Sequence, residues 1–257
     1  MLRVGAIDFI NVLPFYAAFI NECMDPCVEL VPAVPSSLNR QLYLGELDLS
    51  PISSAEYLKH RELYELLPDF CIGARTRVDS VCLYHKGSLQ DLNNQTIGFT
   101  SQSASSSLLV KVMCHHFWHI KPRFETLPSI HHIRDYQAFL LIGDQCLEHP
   151  YVQGYQTLDL AQAWFHATGL PFTFAVFAVR KDSLKLYPEK VAAFAHKLRE
   201  AFEWSSTHPE IILELAQQRC SRPLDHLRRY FNLLYYHFDA LQREALKKFD
   251  TLAKTVS

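Results

Sequence analysis

LRVGAI (residues 2–7), CVELVPAV (27–34) and LDLSPI (47–52) are the three apolar runs that decide the fold. Each has the length of a buried strand, and a helical segment follows each one. Pro35 opens the second of these helices and Gly45 ends it, the usual pair of boundary residues. Ser53 and Glu56 have the spacing of a capping box, which predicts a third helix to about Leu63. Strands that alternate with helices predict a parallel sheet covered by helices.

The rest of the chain divides into a mixed part and a helical part. Further strands are predicted at 70–74, 80–84, 96–99, 124–126, 139–142 and 172–179, with helices at 105–118 and 157–167. After Lys181 the pattern changes, and helical periodicity with few Gly or Pro residues covers 187–204, 209–218, 224–238 and 239–254. The sequence therefore predicts an α/β protein with a helical C-terminal tail.

Composition excludes several classes of protein. The 257 residues include 25 Lys and Arg against 27 Asp and Glu, a net charge of −2, and 49% are hydrophobic. This balance argues against a polybasic nucleic-acid binder and against a disordered chain. No apolar run is long enough for a membrane span, and Asp8, Asn11 and Pro14 interrupt the apolar N-terminus, which argues against a signal peptide. Seven Cys without a CxxC pair, several of them inside apolar runs, predict reduced thiols in the core and a cytoplasmic location.

A serine-rich segment, TSQSASSS at residues 100–107, lies between a predicted strand and a predicted helix. The start of a helix offers unpaired N–H groups and the positive end of the dipole, and the hydroxyls add further donors. Together these groups predict a site for a carboxylate or a phosphate that needs no Lys or Arg. The alternative is a solvated loop in which one Ser caps the helix.

Two other polar residues follow predicted strands. Asn11 comes after the first strand, and Asp144 follows the strand that ends in Gly143. Ligands in open α/β sheets bind beyond the carboxyl ends of the strands, so both side chains are candidates for the same crevice. Both residue types are also ordinary helix caps, and the two interpretations are compatible.

His115 and His119 are four residues apart on a predicted helix, a spacing that zinc sites use. The residue after His115 is His116 rather than the Glu of an HExxH motif, and no carboxylate or Cys lies at a useful spacing. No glycine-rich nucleotide-binding motif is present either. We therefore expect neither a metal nor a cofactor.

Six segments resemble, in this order, the MqnA-type chorismate dehydratase family of the futalosine route to menaquinone. They are RVGAIDFINVLPFY (3–16), PSSLNRQLYLGELDLSPISSAEYL (35–58), VDSVCLY (78–84), SASSSLL (103–109), LLIGDQCL (140–147) and DLAQAWFHATGLPFTFAVFAVR (159–180). The sequence departs from the family at Ser105, where Thr is usual, at Thr76, where Gly is expected, and at Cys146, which replaces a small residue.

The resemblance implies a type II periplasmic-binding-protein-like fold, with two α/β lobes around a central cleft. Residues 1–85 and 181–257 would form the first lobe, with residues 86–180 inserted as the second. The implied activity is loss of water from chorismate to give 3-[(1-carboxyvinyl)oxy]benzoate, with a small-molecule substrate as the partner and no nucleic acid or membrane. The sequence leaves the oligomeric state open.

The resemblance also implies roles for six residues. Ser103, Ser105 and Ser106 would hold a substrate carboxylate, and Ser54 would hold polar groups from the first lobe. Asn11 would face the reacting ring or the leaving hydroxyl. The base would be Asp144 or the enolpyruvyl carboxylate of the substrate itself, and we favour Asn11 together with the substrate carboxylate, with Asp144 in a supporting role.

Three alternatives share this fold. One is a non-catalytic protein that binds small carboxylates, since a fold does not decide a function. The second is the sister enzyme 1,4-dihydroxy-6-naphthoate synthase, whose Asn-Asp-Thr type of opening is absent here. The third is a paralogue that binds chorismate without turning it over.

Overall fold

The computed structural model describes residues 1–100 and 104–256. The strands are β1 (Arg3–Ile7), β2 (Glu29–Ala33), β3 (Leu49–Ser53), β4 (Tyr64–Ala74), β5 (Val81–His85), β6 (Thr96–Phe99), β7 (Arg123–Thr126), β8 (Ala138–Ile142), β9 (Gln156–Asp159), β10 (Phe172–Arg180) and β11 (Leu234–His237). The helices are α1 (Leu13–Ile20), α2 (Pro35–Leu44), α3 (Ser54–Lys59), α4 (Ala104–Met113), α5 (Gly143–Glu148), α6 (Leu160–Thr168), α7 (Lys181–Leu186), α8 (Pro188–Thr207), α9 (Pro209–Gln217), α10 (Leu224–Leu233) and α11 (Ala240–Ala253).

These strands form two mixed sheets. The first has the order β11-β4-β10-β3-β1-β2, in which β1 pairs in parallel with β2 and β3. The second has the order β7-β6-β8-β5-β9, in which β6 pairs in parallel with β7 and β8. The three apolar runs at the start of the chain are therefore neighbouring parallel strands, as the sequence predicted. Two helix-covered sheets agree with the expected two-lobed α/β fold.

Sheet membership differs from the predicted lobe boundaries at two strands. β5, which the sequence analysis assigned to the first lobe, pairs with β8 and β9 of the second sheet. β10, which it assigned to the second lobe, pairs with β3 and β4 of the first sheet. The chain therefore passes between the sheets before each of these strands rather than after it. The division into lobes at 85/86 and 180/181 stays a prediction.

Two predicted helices contain strands. The predicted helix at 157–167 is strand β9 followed by α6, because the carboxylate of Asp159 accepts the N–H of Gln162 and starts the helix there. The predicted helix at 224–238 ends at Leu233, and residues 234–237 form β11 against β4. Two adjacent tyrosines favour a strand, and edge pairing with β4 outweighs the helical periodicity.

The predictions on membrane spans and on the cysteines can be compared with the structure. In the described part of the chain, no helix combines the length and the apolarity that a membrane crossing requires. All seven Cys are free, and five are buried, but Cys23 and Cys27 are exposed. These two thiols are therefore not the core residues that the sequence predicted.

Candidate active site

A cavity lies between the two sheets, at the carboxyl ends of β1, β3 and β8 and at the start of α4. We call it the intersheet cavity. Its polar lining consists of Asn11, Ser53, Ser80, Ser105 and Ser106. The apolar lining includes Phe9, Gly143 and Phe174. The space open to water is about 70 Å³, within an empty volume of about 620 Å³ that reaches the solvent. Strand ends from both sheets therefore meet where ligands of open α/β folds bind.

Asn11 lies in the short 3₁₀ turn Ile10–Val12, between β1 and α1. It does not cap α1, whose N-cap is Val12, so the N-cap interpretation was wrong. Its Oδ1 atom is buried and accepts no hydrogen bond from any described residue. The hydroxyl of Tyr236 donates to the backbone oxygen of Asn11 over 2.9 Å. β11, which carries Tyr236, thus fixes the turn while the Asn11 amide is left available to a ligand.

Asp144 holds the same turn from the other sheet. Its Oδ1 accepts the backbone N–H of Ile10 over 3.1 Å. Burial raises the pKa of Asp144 to about 6, although this N–H and the nearby Arg219 guanidinium lower it. Asp144 is absent from the cavity lining, where Gly143 stands instead. The carboxylate therefore faces the backbone that carries Asn11, and a role as base stays a prediction.

Gly143 allows the close approach of the two sheets. Its φ is +59°, and a Cβ atom at this position would lie 2.9 Å from the ring of Phe9. Its N–H donates to the backbone oxygen of Ser80 over 2.7 Å. Only glycine combines this left-handed backbone with a ring packed on it.

The serine-rich segment contributes two described residues. Ser105 donates to the backbone oxygen of Phe174 over 2.9 Å and accepts the N–H of Ala55 over 3.0 Å. Its single proton is therefore used within the protein. Ser106 is buried and lines the cavity, and its hydroxyl has no hydrogen-bond partner among the described residues. Ser103 lies outside the described residues.

Ser54 is placed away from the cavity. It is fully buried, and its hydroxyl donates to the backbone oxygen of Thr173 over 2.6 Å. Its neighbour Ser53 lines the cavity and is the N-cap of α3, accepting the N–H of Glu56. The capping box thus located the helix start correctly, while the hydroxyl at the cavity belongs to Ser53. The predicted role of Ser54 has no support from this geometry.

Ser80 is a site residue that the sequence analysis missed. It is 2% exposed, lines the cavity just before β5, and accepts the hydroxyl proton of buried Tyr230 over 3.1 Å. Burial raises the pKa of Tyr230, which keeps this phenol protonated as a donor. The Ser80 proton then remains available to a ligand. The only signal was its position before an apolar strand in the block VDSVCLY.

The histidine pair does not keep the predicted geometry. α4 ends at Met113, residues 114–118 form a π turn, and His119 has a left-handed backbone. A regular helix would have placed His115 and His119 on one face, but this irregular end does not. Among the described residues, no group of three His, Cys, Asp or Glu side chains could hold a metal ion.

The electrostatics of the intersheet cavity come from dipoles. None of the described lining residues is Lys, Arg, His, Asp or Glu. An anion would therefore be held by hydroxyls and by the start of α4, whose dipole favours negative charge. Fixed donors in an apolar surround can stabilise charge that develops on a bound carboxylate, because they need no reorganisation.

Comparison with known proteins assigns the chain to a family. The model of a menaquinone biosynthesis family matches residues 2–255. The chain belongs to this family. It is 34% identical to a chorismate dehydratase of Thermus thermophilus, over 96% of this chain and 93% of the relative. It is 23% identical to the 1,4-dihydroxy-6-naphthoate synthase of the same organism, over 90% and 86% of the two chains.

Solved structures agree on the fold of this family member. A Candida albicans protein with the generic periplasmic binding protein fold superposes with a TM-score of 0.71 at 13% identity, over 100% of this chain and 91% of that one. The fold predicted by resemblance is thereby confirmed.

A Ser105→Ala variant is expected to be less stable. The two hydrogen bonds of Ser105 join α4 to β10 of the first sheet and to α3. Without the hydroxyl, the part-buried N–H of Ala55 and the backbone oxygen of Phe174 each lose this partner. We expect the free energy of unfolding to fall by about 1–3 kcal/mol, measured by urea denaturation. Ser206→Ala is the control, because among the described residues that exposed hydroxyl donates only to the backbone oxygen of Glu203 in its own helix. Equal stability of the two variants would contradict this assignment.

Proposed function

We propose that this protein removes water from chorismate and releases 3-[(1-carboxyvinyl)oxy]benzoate. The observation that carries the proposal is the buried Asn11 amide oxygen, which has no described partner and lies beside a serine-lined helix start. Membership of the menaquinone biosynthesis family and the dehydratase relative favour this reaction over simple binding. The pathway also supports a cytoplasmic location.

The chemistry of chorismate matches this lining. The hydrogen that leaves is on the ring carbon that bears the enolpyruvyl ether. That carbon is allylic to the double bond conjugated with the ring carboxylate, so deprotonation sends the electron pair towards this carboxylate. Ser106 and the start of α4 supply donors at the place where negative charge would develop. Loss of hydroxide from the neighbouring carbon then makes the ring aromatic.

Asn11 and Ser80 suit the leaving hydroxyl. Both line the cavity, and each keeps hydrogen-bonding capacity that the described residues do not use. A hydroxyl that departs as hydroxide needs a donor, which the Ser80 hydroxyl or the Nδ2 group of Asn11 can provide. The unpartnered Oδ1 of Asn11 can accept a hydrogen bond from that hydroxyl before it leaves. The proton taken from the ring carbon would pass to the enolpyruvyl carboxylate, since the Asp144 carboxylate faces Ile10.

Entry of chorismate would be helped if the two sheets moved apart, because the intersheet cavity is narrow and holds only about 70 Å³ of space open to water. The contacts of Asp144 with Ile10 and of Gly143 with Phe9 join the two sheets across this cavity. We propose that they separate when the substrate enters and re-form around it.

An Asp144→Asn variant tests the raised pKa of Asp144 through the pH dependence of stability. The folded pKa of about 6 lies above the ordinary value of 3.8, so folded chains hold more protons between these values and stability falls as pH rises through them. This loss, roughly 2 kcal/mol for a shift of this size, should be absent in the variant, whose amide oxygen can still accept from Ile10. Urea denaturation at pH 4 and pH 7 measures it. Asp182→Asn, which changes an exposed carboxylate paired with Arg180 and distant in sequence from Asp144, is the control.

The same variant should keep turnover within about tenfold of the original protein if the substrate carboxylate is the base. A loss of more than about a thousandfold would make Asp144 the base instead. A wild-type pH dependence of stability in Asp144→Asn would contradict the assigned pKa.

The direct test is to incubate the purified, metal-stripped protein with chorismate and to follow mass and ultraviolet absorbance. A product lighter by one water with an aromatic spectrum supports the dehydratase. Chorismate that stays intact but raises the melting temperature supports a binding protein or an inactive paralogue. Chorismate that stays intact and does not change the melting temperature would contradict the assigned substrate and leave only the fold.

A further inference from the structure

A second cavity lies on the other side of β5 from the intersheet cavity. It is bounded by β5, β9 and the end of α5 on one side and by α10 on the other, and it encloses about 650 Å³. We call it the arginine cavity, because Arg77, Arg222 and Arg229 line it. Its size is within the range of small-molecule sites.

The charges of the arginine cavity are unbalanced. Arg77 pairs with Asp79, the one carboxylate among the described lining residues. Arg229 donates its Nε–H to the backbone oxygen of Asp225, which leaves its terminal nitrogens available. The Arg222 guanidinium forms no hydrogen bond or ion pair with the described residues. The guanidinium groups of Arg222 and Arg229 therefore line one cavity without a carboxylate partner among the described residues, in a chain whose net charge is −2. Such groups match carboxylates in two-point hydrogen bonds.

The inner part of the arginine cavity is apolar and aromatic, whereas its outer part carries polar side chains. Tyr84, Leu147, Leu227 and Tyr230 line it, and all four are buried. A hydrated inorganic anion gains nothing from these walls, whereas a flat ring that carries a carboxylate can use both parts of the cavity. Guanidinium groups also stack on aromatic rings.

Tyr230 connects the two cavities through one hydrogen bond. It lines the arginine cavity, and its hydroxyl donates to Ser80, which lines the intersheet cavity. A ligand that contacts the Tyr230 ring is therefore one hydrogen bond from a proposed active-site hydroxyl.

We propose that the arginine cavity is a second binding site, for an aromatic carboxylate, and that its occupant acts on the active site through Tyr230 and Ser80. The ligand class follows from the cavity alone. The effect on turnover rests on the proposed function, whose product is itself an aromatic carboxylate.

Calorimetry with 3-(carboxymethoxy)benzoate, a stable aromatic dicarboxylate, tests binding. We expect two binding sites per wild-type chain. The double variant Arg222→Gln/Arg229→Gln should keep only the site in the intersheet cavity. In the single variant Arg222→Gln, the probe should bind the arginine cavity at least tenfold more weakly. Arg228→Gln is the matched control, because Arg228 is on the same helix but lines a different groove. It should keep both sites. The same number of sites with unchanged affinities in the wild-type chain and in the double variant would overturn the proposal, as would inorganic phosphate that displaces the probe at equal concentration from the site that the double variant loses.

Chorismate turnover in the presence of the probe tests the connection. In the wild type and in Arg228→Gln the probe should lower kcat at least twofold as well as raise KM, whereas in the double variant it should raise KM only. The double variant should keep its activity without the probe, since neither arginine lines the intersheet cavity. Inhibition through KM alone in the wild type would overturn the connection. Absence of turnover in every protein would instead contradict the proposed function, and the calorimetric site count would still decide the second site.

Discussion

An Asn11→Ala variant should lose at least about 100-fold in kcat for chorismate and lose no stability. The side-chain oxygen is buried and has no described partner, so its removal breaks no hydrogen bond among the described residues. The bond from Tyr236 is made to the backbone oxygen and survives the substitution. A variant that is inactive yet at least as stable as the parent would indicate that this amide is kept for a ligand.

A second variant, Asn11→Asp, keeps the shape of the side chain and replaces the amide with a carboxylate. It separates the loss of the amide donor from the loss of side-chain volume. It should also be inactive, because a negative group would face an anionic substrate and a departing hydroxide. Steady-state kinetics and urea denaturation of the three proteins give the comparison. Undiminished turnover in Asn11→Ala would remove Asn11 from the catalytic machinery.

The sequence predicted the fold well where local patterns and chain order agree. The three apolar runs with their helix boundaries at Pro35, Gly45 and Ser53 became β1, β2 and β3 with α2 and α3 as expected. β11 was missed because its residues continue a helical period, and only pairing with β4 makes them a strand. Tyr236 was therefore missed as well, since its approach to Asn11 depends on that pairing.

The site was predicted less completely for a related reason. Residue type and position at strand ends identified Asn11, Ser105 and Ser106 as lining residues. Which hydroxyls are available to a ligand depends on partners distant in sequence, such as Phe174 for Ser105 and Thr173 for Ser54. Ser80 became visible only when Tyr230 and β5 were placed beside it. Chain pattern indicates where polar groups gather, and tertiary contacts decide which remain available.

A Gly143→Ala variant should disturb the site more than its single methyl group suggests. The added Cβ would lie 2.9–3.1 Å from three atoms of the Phe9 ring, and φ of +59° is unfavourable for any L residue. The left-handed backbone alone costs about 1–2 kcal/mol. The ring must also move, and it lies next to the turn that carries Asn11. We expect kcat/KM to fall at least tenfold under conditions in which the variant is still fully folded.

Gly169→Ala separates the two effects, because Gly169 has φ of +71° but no atom lies within 4 Å of the position that an added methyl group would take. The free energy of unfolding of Gly169→Ala should fall by a similar amount, because the backbone strain is the same, while kcat/KM should stay unchanged. Parallel kinetics and denaturation of both variants measure the difference. If both lose the same fraction of activity, backbone strain explains the result and the contact between Phe9 and Gly143 has no part in shaping the site. If only Gly143→Ala loses activity, the packing of the Phe9 ring on Gly143 at the start of α5 determines where Asn11 meets its ligand.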